Sequence, residues 1–268
     1  MRPHYAFVVQ KSLAPAERAT GGGVRSLLRG MAVLRAVAGS PHGVSQSDVG
    51  AVAHLPLPTV HRLVVTLERA GFLRREPGSR LLRPGLELVA LAGPVLASLG
   101  LPGTARAVVD ALATQTGETA NLATLLGAEV LYLHGRSGAR LLSVQTPLGL
   151  RLPAHCTSLG KCLLAHIGNE AARAVLGAEP YARLTRHTRT TWRGLRADLA
   201  RTRRGGLAVS EEEYEVGLVS LAVAAGTLPD GRPLALNVSL PAARAGTGSR
   251  ETIAGSLRRA AAALAGPV

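Results

Sequence analysis

Three polar residues in the first third of the chain have types and spacing suited to reading DNA. Thr59, His61 and Arg62 stand at the start of a predicted amphipathic helix that ends at Gly71. A threonine hydroxyl donates to phosphate or meets a thymine methyl group, and an arginine guanidinium forks onto guanine. In a helix-turn-helix the N-terminal residues of the second helix face the bases. The pattern predicts a DNA contact, although it also occurs on ordinary solvated helix faces.

A second candidate for chemistry is the pair His155-Cys156, which suggests a thiol nucleophile with a histidine base. Neighbours in sequence rarely form such a pair, because the geometry is built in space and not along the chain. No nucleophile elbow, phosphate loop or dinucleotide fingerprint is present. The spacing of His134, His155 and His166 matches no metal site. We therefore expect no enzyme activity, no metal and no cofactor.

The cysteines give a further alternative. Cys156 and Cys162 are too few for a disulfide scaffold, so they indicate a reduced, cytoplasmic protein with two small core side chains. A redox sensor built on them stays open, since Lys161 is near in sequence and thiolate reactivity needs positive surroundings. No apolar run approaches the roughly 20 residues that span a bilayer, and we expect no membrane contact.

The elements that position the DNA-reading residues follow from the hydrophobic periodicity. Apolar spacing predicts a helix up to Ala38, a second helix over 46–53 capped by Ser45, and a third over 59–70. Short strands at 72–76 and 79–82 around Pro77-Gly78 complete a winged helix-turn-helix, placed at 24–83. The candidate DNA contacts on it are Arg25, Ser47, Thr59, His61, Arg62, Arg74, Arg75 and Arg80.

The rest of the chain mixes helices and strands. A linker helix is predicted over 84–100 and an α+β domain over 101–268, while residues 1–23 are predicted to be a disordered leader. Strands joined by short turns favour an antiparallel sheet flanked by helices. They are expected at 120–126, 130–134, 141–146, 218–225 and 234–240.

The charge balance favours a polyanionic partner. The 268 residues carry a formal charge of +14, and 47% of them are hydrophobic, which is enough to build packed cores. Residues 1–98 hold 12 basic and 5 acidic side chains, and residues 99–268 hold 19 and 12, so each part contributes +7. Such a surplus attracts phosphates and releases counterions on binding.

Several blocks of the sequence match one family in the correct order. They include Thr59-Val60-His61-Arg62-Leu63, Leu159-Gly160-Lys161-Cys162, and the segments 24–34, 117–122, 151–155, 208–213 and 216–218. From about residue 24 to 265 the chain resembles the IclR family of transcription regulators. The resemblance implies a GAF-like α+β effector domain and homodimers or dimers of dimers on a palindromic double-stranded DNA operator. It also implies a small organic acid or aromatic metabolite as the ligand.

The resemblance also implies a ligand site. It places Ser158 and Leu159 at a helix start, where free N–H groups favour an anion. It puts Glu211 at a common acidic pocket position and Ser220 where several relatives carry cysteine. Asn237 and Ser239 fall where relatives carry two serines, and as alternate strand residues they share one face. Each of these side chains could instead be an ordinary buried or solvated group.

One departure from the family concerns DNA reading. Leu57 and Pro58 stand where the family usually has a polar pair, often lysine and serine, so two phosphate contacts are missing. Our hypothesis is a ligand-responsive regulator in which the ligand acts through the linker helix. The alternative is a ligand-binding or protein-docking module whose winged helix does not read DNA.

Overall fold

The computed structural model describes residues 23–40, 42–101, 103–140, 143–144 and 146–265. The chain divides into two compact units between Ser98 and Leu99, here called the N-terminal and C-terminal units. The predicted leader at 1–23 lies outside the described residues except for Gly23. Among the described residues, no helix is both long enough and apolar enough to cross a membrane.

The N-terminal unit is a winged helix-turn-helix, as the sequence predicts. Its elements are α1 (Arg25–Ala38), α2 (Gln46–Ala53), α3 (Leu57–Arg69), β1 (Leu73–Arg75), β2 (Leu82–Pro84) and α4 (Glu87–Ser98). The three helices and the hairpin enclose a small core made largely of valine, at positions 33, 37, 44, 49, 60 and 64, with Leu73 and Leu82. The predicted bounds of α2 are confirmed.

Local chemistry defines the turn between α2 and α3. Ser45 caps α2, because its hydroxyl accepts a hydrogen bond from the N–H of Asp48 at 3.2 Å. His54 ends the helix in the left-handed conformation with φ of 53°. Pro56 and Pro58 then allow α3 to begin at Leu57, two residues before the predicted start, because proline is tolerated in the first turn of a helix.

The junction after the wing differs from the predicted linker helix, which starts at residue 84. Pro84 is instead the last residue of β2 and pairs with Leu73, and α4 begins only at Glu87. Between them, the N–H of Gly85 donates to the carbonyl of Phe72 at 2.8 Å. A β-carbon at Gly85 would lie 2.0 Å from the carbonyl oxygen of Gly71, so only glycine fits this close approach.

The C-terminal unit is the expected α+β domain. Its helices are α5 (Ala105–Thr116), α6 (Ser158–Ile167), α7 (Asn169–Leu176), α8 (Trp192–Gly205) and α9 (Thr247–Ala265). Its strands are β3 (Thr119–Leu126), β4 (Glu129–Arg136), β5 (Arg151–Pro153), β6 (Ala208–Glu211), β7 (Leu218–Thr227) and β8 (Pro233–Pro241). They form one antiparallel sheet in the order β5-β4-β3-β8-β7-β6.

Helices cover both faces of this sheet. Helix α6 packs on one face, where Leu159 and Leu163 share a core with alanines of β6, β7 and β8, and α9 packs against β7 and α5. The predicted strand at 141–146 is wrong for the described residues 143, 144 and 146, which are not in a strand. The sequence prediction also missed β5 and β6, which are short strands of three and four residues.

Candidate functional site

The first turns of α3 present the predicted DNA-reading side chains to solvent. His61 and Arg62 are exposed, Thr59 is half-buried, and Ser47 lies exposed on α2. The ring nitrogen Nδ1 of His61 is 3.4 Å from the amide oxygen of Gln46, which links the two helices of the motif. No partner binds the guanidinium of Arg62 within the described residues, so it is available to a ligand outside the chain.

The wing adds positive charge beside this helix, but its arginines are not equivalent. Arg75 is held by Glu68 of α3, with Nε 2.9 Å from the carboxylate. Arg74 and Arg80 are exposed, as is Arg25 at the start of α1. These three have no ion pair with any other described residue. The structure therefore engages Arg75 within the unit and leaves Arg25, Arg74 and Arg80 open to an external partner.

In the C-terminal unit, hydroxyl side chains form a row across four strands. Thr119 of β3 is opposite Ser239 of β8, Ser239 is opposite Ser220 of β7, and Ser220 is opposite Ser210 of β6. Residues directly opposite each other in antiparallel strands share a face of the sheet. Since Ala208 and Ala222, two residues along from Ser210 and Ser220, pack with Leu159, the row lies on the face that α6 covers.

A second polar row lies next to the first and contains a buried amide pair. The side-chain amide of Asn121 donates to Asn237 at 2.9 Å, and that of Asn237 donates to the Ser239 hydroxyl at 3.0 Å. The Thr146 hydroxyl donates to Asn121 from the loop above the sheet, and that of Thr119 donates to the Val144 carbonyl at 2.6 Å. The structure thus brings together Ser220, Asn237 and Ser239, three of the residues predicted for the ligand site.

The start of α6 contributes both donors and an unpartnered hydroxyl. Thr157 caps the helix by accepting from the N–H of Gly160 at 3.1 Å. Ser158 is fully buried, and its hydroxyl oxygen has no hydrogen-bond partner among the described residues. The first N–H groups of a helix have no intrahelical acceptor. Leu159 offers its N–H here, while its side chain belongs to the core.

Glu211 is not brought together with the serine row. Its side chain is 58% exposed and pairs with Arg250, and it alternates with Ser210 along β6, so the two face opposite sides of the sheet. Ser210 occupies the position on the α6 face, where its hydroxyl donates to the Cys156 carbonyl at 2.9 Å. The acidic residue proposed from the resemblance is therefore replaced at this face by a neutral hydroxyl.

Sequence reasoning missed Thr119, Asn121, Thr146 and Ser210 as members of this polar face. Two of them had a usable signal, because Thr119 and Asn121 alternate along one strand and must share a face. Thr146 had none, since only the loop conformation brings it over β3. The partly buried ion pair between Glu118 and Arg244, with two oxygen–nitrogen distances of 2.6 Å, was also missed.

A buried charge cluster lies one turn into α6. Lys161 is 1% exposed, and its Nζ lies 2.8 Å from Asp198 of α8, 3.2 Å from the Val209 carbonyl, and in contact with Glu213. Arg189 and Arg201 also pair with Asp198. These groups line a cleft of about 260 Å³. The second carboxylate oxygen of Glu213 is buried without a hydrogen-bond partner among the described residues.

The pKa values of the two carboxyl groups in this cluster are shifted in opposite directions. Burial acts to raise the pKa of Asp198, but the hydrogen bond and charge of Lys161, helped by the two arginines, lower that pKa below its ordinary value. For Glu213, burial outweighs Lys161 and raises the pKa. We conclude that the ion pair at the centre of the cluster is the one between Lys161 and Asp198.

The two groups of the proposed thiol chemistry are bound to different backbone carbonyls. His155 Nε2 lies 3.0 Å from the Ala182 carbonyl, and the Cys156 thiol donates to the Pro153 carbonyl at 3.7 Å. Both cysteines are buried, and burial raises the pKa of Cys156 and of Cys162 to about 12. Thiols with such pKa values stay protonated at neutral pH, which argues against a redox sensor. Within the described residues, no group of histidine, cysteine and carboxylate side chains is arranged to hold a metal.

An N-terminal winged helix-turn-helix followed by an α+β unit with a curled antiparallel sheet defines a class of DNA-binding transcriptional regulators. A family model described as the IclR helix-turn-helix domain matches residues 26–77. A second, described as the bacterial transcriptional regulator IclR C-terminal domain, matches residues 94–265. The chain belongs to the IclR family of transcriptional regulators.

Characterised relatives and a solved structure agree with this assignment. The chain is 33% identical over 216 residues to the Pca regulon regulatory protein of Pseudomonas putida, covering 80% of this chain and 73% of that one. It is 30% identical over 217 residues to the probable transcriptional regulator SauR of Cupriavidus necator, covering 81% and 86%. An IclR homologue from Microbacterium hydrocarbonoxydans, crystallised with 4-hydroxybenzoate, has a TM-score of 0.70 at 28% identity, covering 89% and 97%.

Proposed function

We propose that this regulator binds a palindromic DNA operator through the exposed first turns of α3 and the wing. The observation that carries the proposal is the open guanidinium of Arg62 beside the exposed His61, at the end of the helix that enters the major groove in this motif. Arg25, Arg74 and Arg80 supply phosphate contacts around it. Leu57, which is 51% exposed in the first turn, contacts no phosphate but can lie against a thymine methyl group.

Selection from a random duplex pool tests this reading. The full-length protein is expected to enrich a sequence with two-fold symmetry, and Arg62→Ala is expected to lose the enrichment, because a bidentate base contact is worth about 1–3 kcal/mol of discrimination. The matched control is Arg69→Ala, which removes an exposed arginine from the last turn of the same helix. Failure of the wild-type protein to enrich any sequence would favour the docking-module alternative.

We propose that the ligand site lies between the start of α6 and the polar rows of the sheet. The buried, unpartnered hydroxyl of Ser158 and the free N–H groups beside it supply donors, and Ser220, Asn237 and Ser239 supply more on the facing strands. A donor-rich and uncharged site suits the carboxylate of a small organic or aromatic acid. The 4-hydroxybenzoate in the Microbacterium homologue supports this class.

A thermal-shift screen of small aromatic and aliphatic carboxylates, including 4-hydroxybenzoate, tests the ligand class. A binder raises the midpoint of unfolding by mass action. We expect Ser158→Ala and Asn237→Leu to reduce that rise, whereas Glu211→Gln leaves it unchanged, because Glu211 faces the other side of β6. Equal loss with Glu211→Gln would contradict the location of the site.

We propose that the N-terminal unit dimerises through its exposed apolar surface. No residue of α4 is buried, although the helix carries Val89 at 67%, Leu91 at 54% and Val95 at 57% exposure. On α1, Leu27, Leu28 and Met31 are exposed as well. Large apolar side chains exposed in this number are characteristic of an interface, and a second copy gives the two-fold symmetry that a palindromic operator requires.

A further inference from the structure

One short segment carries the entire charge excess of the C-terminal unit. Residues 183–204 contain eight arginines and a single acidic residue, Asp198. Their net charge of +7 equals that of the whole stretch 99–268, so the remainder of that stretch is balanced. All eight arginines are exposed. The other arginines of the unit are balanced by acidic residues, so the excess positive charge is confined to this segment.

Helix α8 arranges five of these arginines on one face. Leu195, Asp198, Leu199 and Thr202 are its buried residues. Because successive residues of an α-helix are turned by about 100°, the arginines project from the opposite half of the helix. They are Arg193, Arg196, Arg201, Arg203 and Arg204. A helix of 14 residues is about 21 Å long, so the face forms a continuous basic strip.

Most of this charge is not neutralised by the protein itself. Asp198 pairs with Arg189 and Arg201, and Arg203 donates to Asn169 at 2.9 Å. Arg186 donates to the ring of His187 at 2.9 Å. The other four arginines of the segment have no ion pair or hydrogen bond with any described residue; Arg193, Arg196 and Arg204 lie on α8, and Arg183 precedes it. Arginines that repel one another on one face of a helix destabilise the folded state. Binding of an external anion would relieve this repulsion.

We propose that the arginine strip of α8 is a second DNA-binding surface, which contacts the phosphate backbone without reading sequence. Over about 20 Å, one strand of B-DNA presents roughly six phosphates, and arginine pairs with phosphate through two parallel hydrogen bonds. The proposal rests on DNA being the partner of the N-terminal unit. It adds a sequence-independent contact made by the C-terminal unit.

The composition of the strip favours DNA over an acidic protein partner. Protein interfaces need a desolvated centre with aromatic or aliphatic anchors. Within the described part of the C-terminal unit, the exposed large hydrophobic residues are Leu126, Leu148 and Val216, all outside 183–204. The single tryptophan of the chain, Trp192 at the start of α8, packs against the core. A surface of arginines without apolar anchors matches a phosphate backbone.

The test is the salt dependence of binding to an operator duplex with roughly 40 base pairs of unrelated flank on each side. The full-length variant Arg193→Gln/Arg196→Gln/Arg204→Gln is compared with Arg106→Gln/Arg136→Gln/Arg259→Gln, which removes three exposed arginines elsewhere in the same unit. Each lost phosphate contact reduces the slope of log K against log salt by about 0.9. We expect the α8 variant to lose two to three units of slope, by that rule, and the control to match the wild type.

A lysine version separates charge from folding. Arg193→Lys/Arg196→Lys/Arg204→Lys keeps the charge and is expected to keep the wild-type slope. Equal slopes for the α8 glutamine variant and the control would overturn the proposal. Failure of the regulator function itself would be visible separately, because the wild type and Arg62→Ala would then bind operator and scrambled duplexes equally well.

Discussion

Lys161 and Asp198 form an ion pair in the interior of the C-terminal unit, with 2.8 Å between Nζ and Oδ2. The pair joins α6, whose first turn borders the proposed ligand site, to α8, whose opposite face carries the arginine strip. Glu213 binds the same ammonium group from the segment after β6. Because isolated charges are costly to bury, each group depends on the others, and the cluster holds α6, α8 and β6 together.

The first prediction concerns the stability of this cluster. Lys161→Met leaves Glu213 and Asp198 without their shared cation, and we expect it to lower the free energy of unfolding by about 3–5 kcal/mol. Urea denaturation of the full-length protein measures the change. Arg232→Gln, which breaks the exposed pair between Arg232 and Asp230, is the control and should leave the urea midpoint unchanged. Equal midpoints for Lys161→Met and the wild type would contradict a structural role for the cluster.

The second prediction follows from the opposite pKa shifts of the two carboxyls. The raised pKa of Glu213 means that the folded state holds the carboxyl proton more tightly than the unfolded state does. The stability that this proton contributes is therefore present below the pKa of the unfolded chain, about 4.3, and is lost as the pH rises through the folded pKa. Glu213→Gln removes this dependence. Its stability relative to the wild type should therefore increase between acidic and neutral pH.

Asp198 should show the reverse trend. Its lowered pKa contributes stability above the unfolded value of about 3.9, which is lost as the pH falls through the folded pKa. The deficit of Asp198→Asn should be largest at neutral pH and shrink in acid. Thermal unfolding of both variants and the wild type across pH measures the two trends. If both variants followed the wild type with a constant offset, the opposite pKa shifts of the two carboxyls would be contradicted.

The third prediction concerns the cysteines. With pKa values of about 12, Cys156 and Cys162 have a thiolate fraction of roughly one part in 10⁵ at pH 7. We expect peroxide to leave DNA binding unchanged, and Cys156→Ala/Cys162→Ala to behave like the wild type in the same gel-shift assay. A loss of binding that a thiol reductant restores in the wild type, but that is absent from the variant, would reinstate the redox sensor.

The fourth prediction concerns assembly. Val89→Asp/Val95→Asp places charge on the exposed apolar surface of α4, and we expect sedimentation equilibrium to show a smaller assembly than that of the wild type, because buried charge opposes association. Leu148→Asp, at a residue 57% exposed in the C-terminal unit, is the control. An unchanged mass for the α4 variant would place the interface elsewhere.

Local signals account for what the sequence predicts well. The bounds of α2 follow from its capping serine and regular apolar spacing, which are short-range effects. The strand predicted at 141–146 is wrong at the described residues 143, 144 and 146, which are not in a strand. Thr146 instead donates to Asn121 of β3. Short strands such as β6 depend on pairing with β7 and have little signal of their own.

The candidate site shows a different limit. Pairing between β7 and β8 brings the predicted residues Ser220, Asn237 and Ser239 together, whereas Glu211 lies one residue from Ser210, which is on the face that α6 covers. In a strand, a shift of one residue moves a side chain to the other face. The partners of Lys161 could not be predicted from the sequence, since Asp198 and Glu213 are 37 and 52 residues away along the chain.

The most direct test of the regulator function is equilibrium binding of the purified protein to the DNA upstream of its own gene, compared with unrelated DNA over a salt series. We expect binding to the upstream fragment to be at least about 1,000-fold tighter, and we expect Arg62→Ala, but not Arg69→Ala, to reduce this preference. Binding that is weak, equal for both fragments and abolished by moderate salt would show that DNA senses only the +14 charge. That result would contradict sequence-specific regulation by this chain.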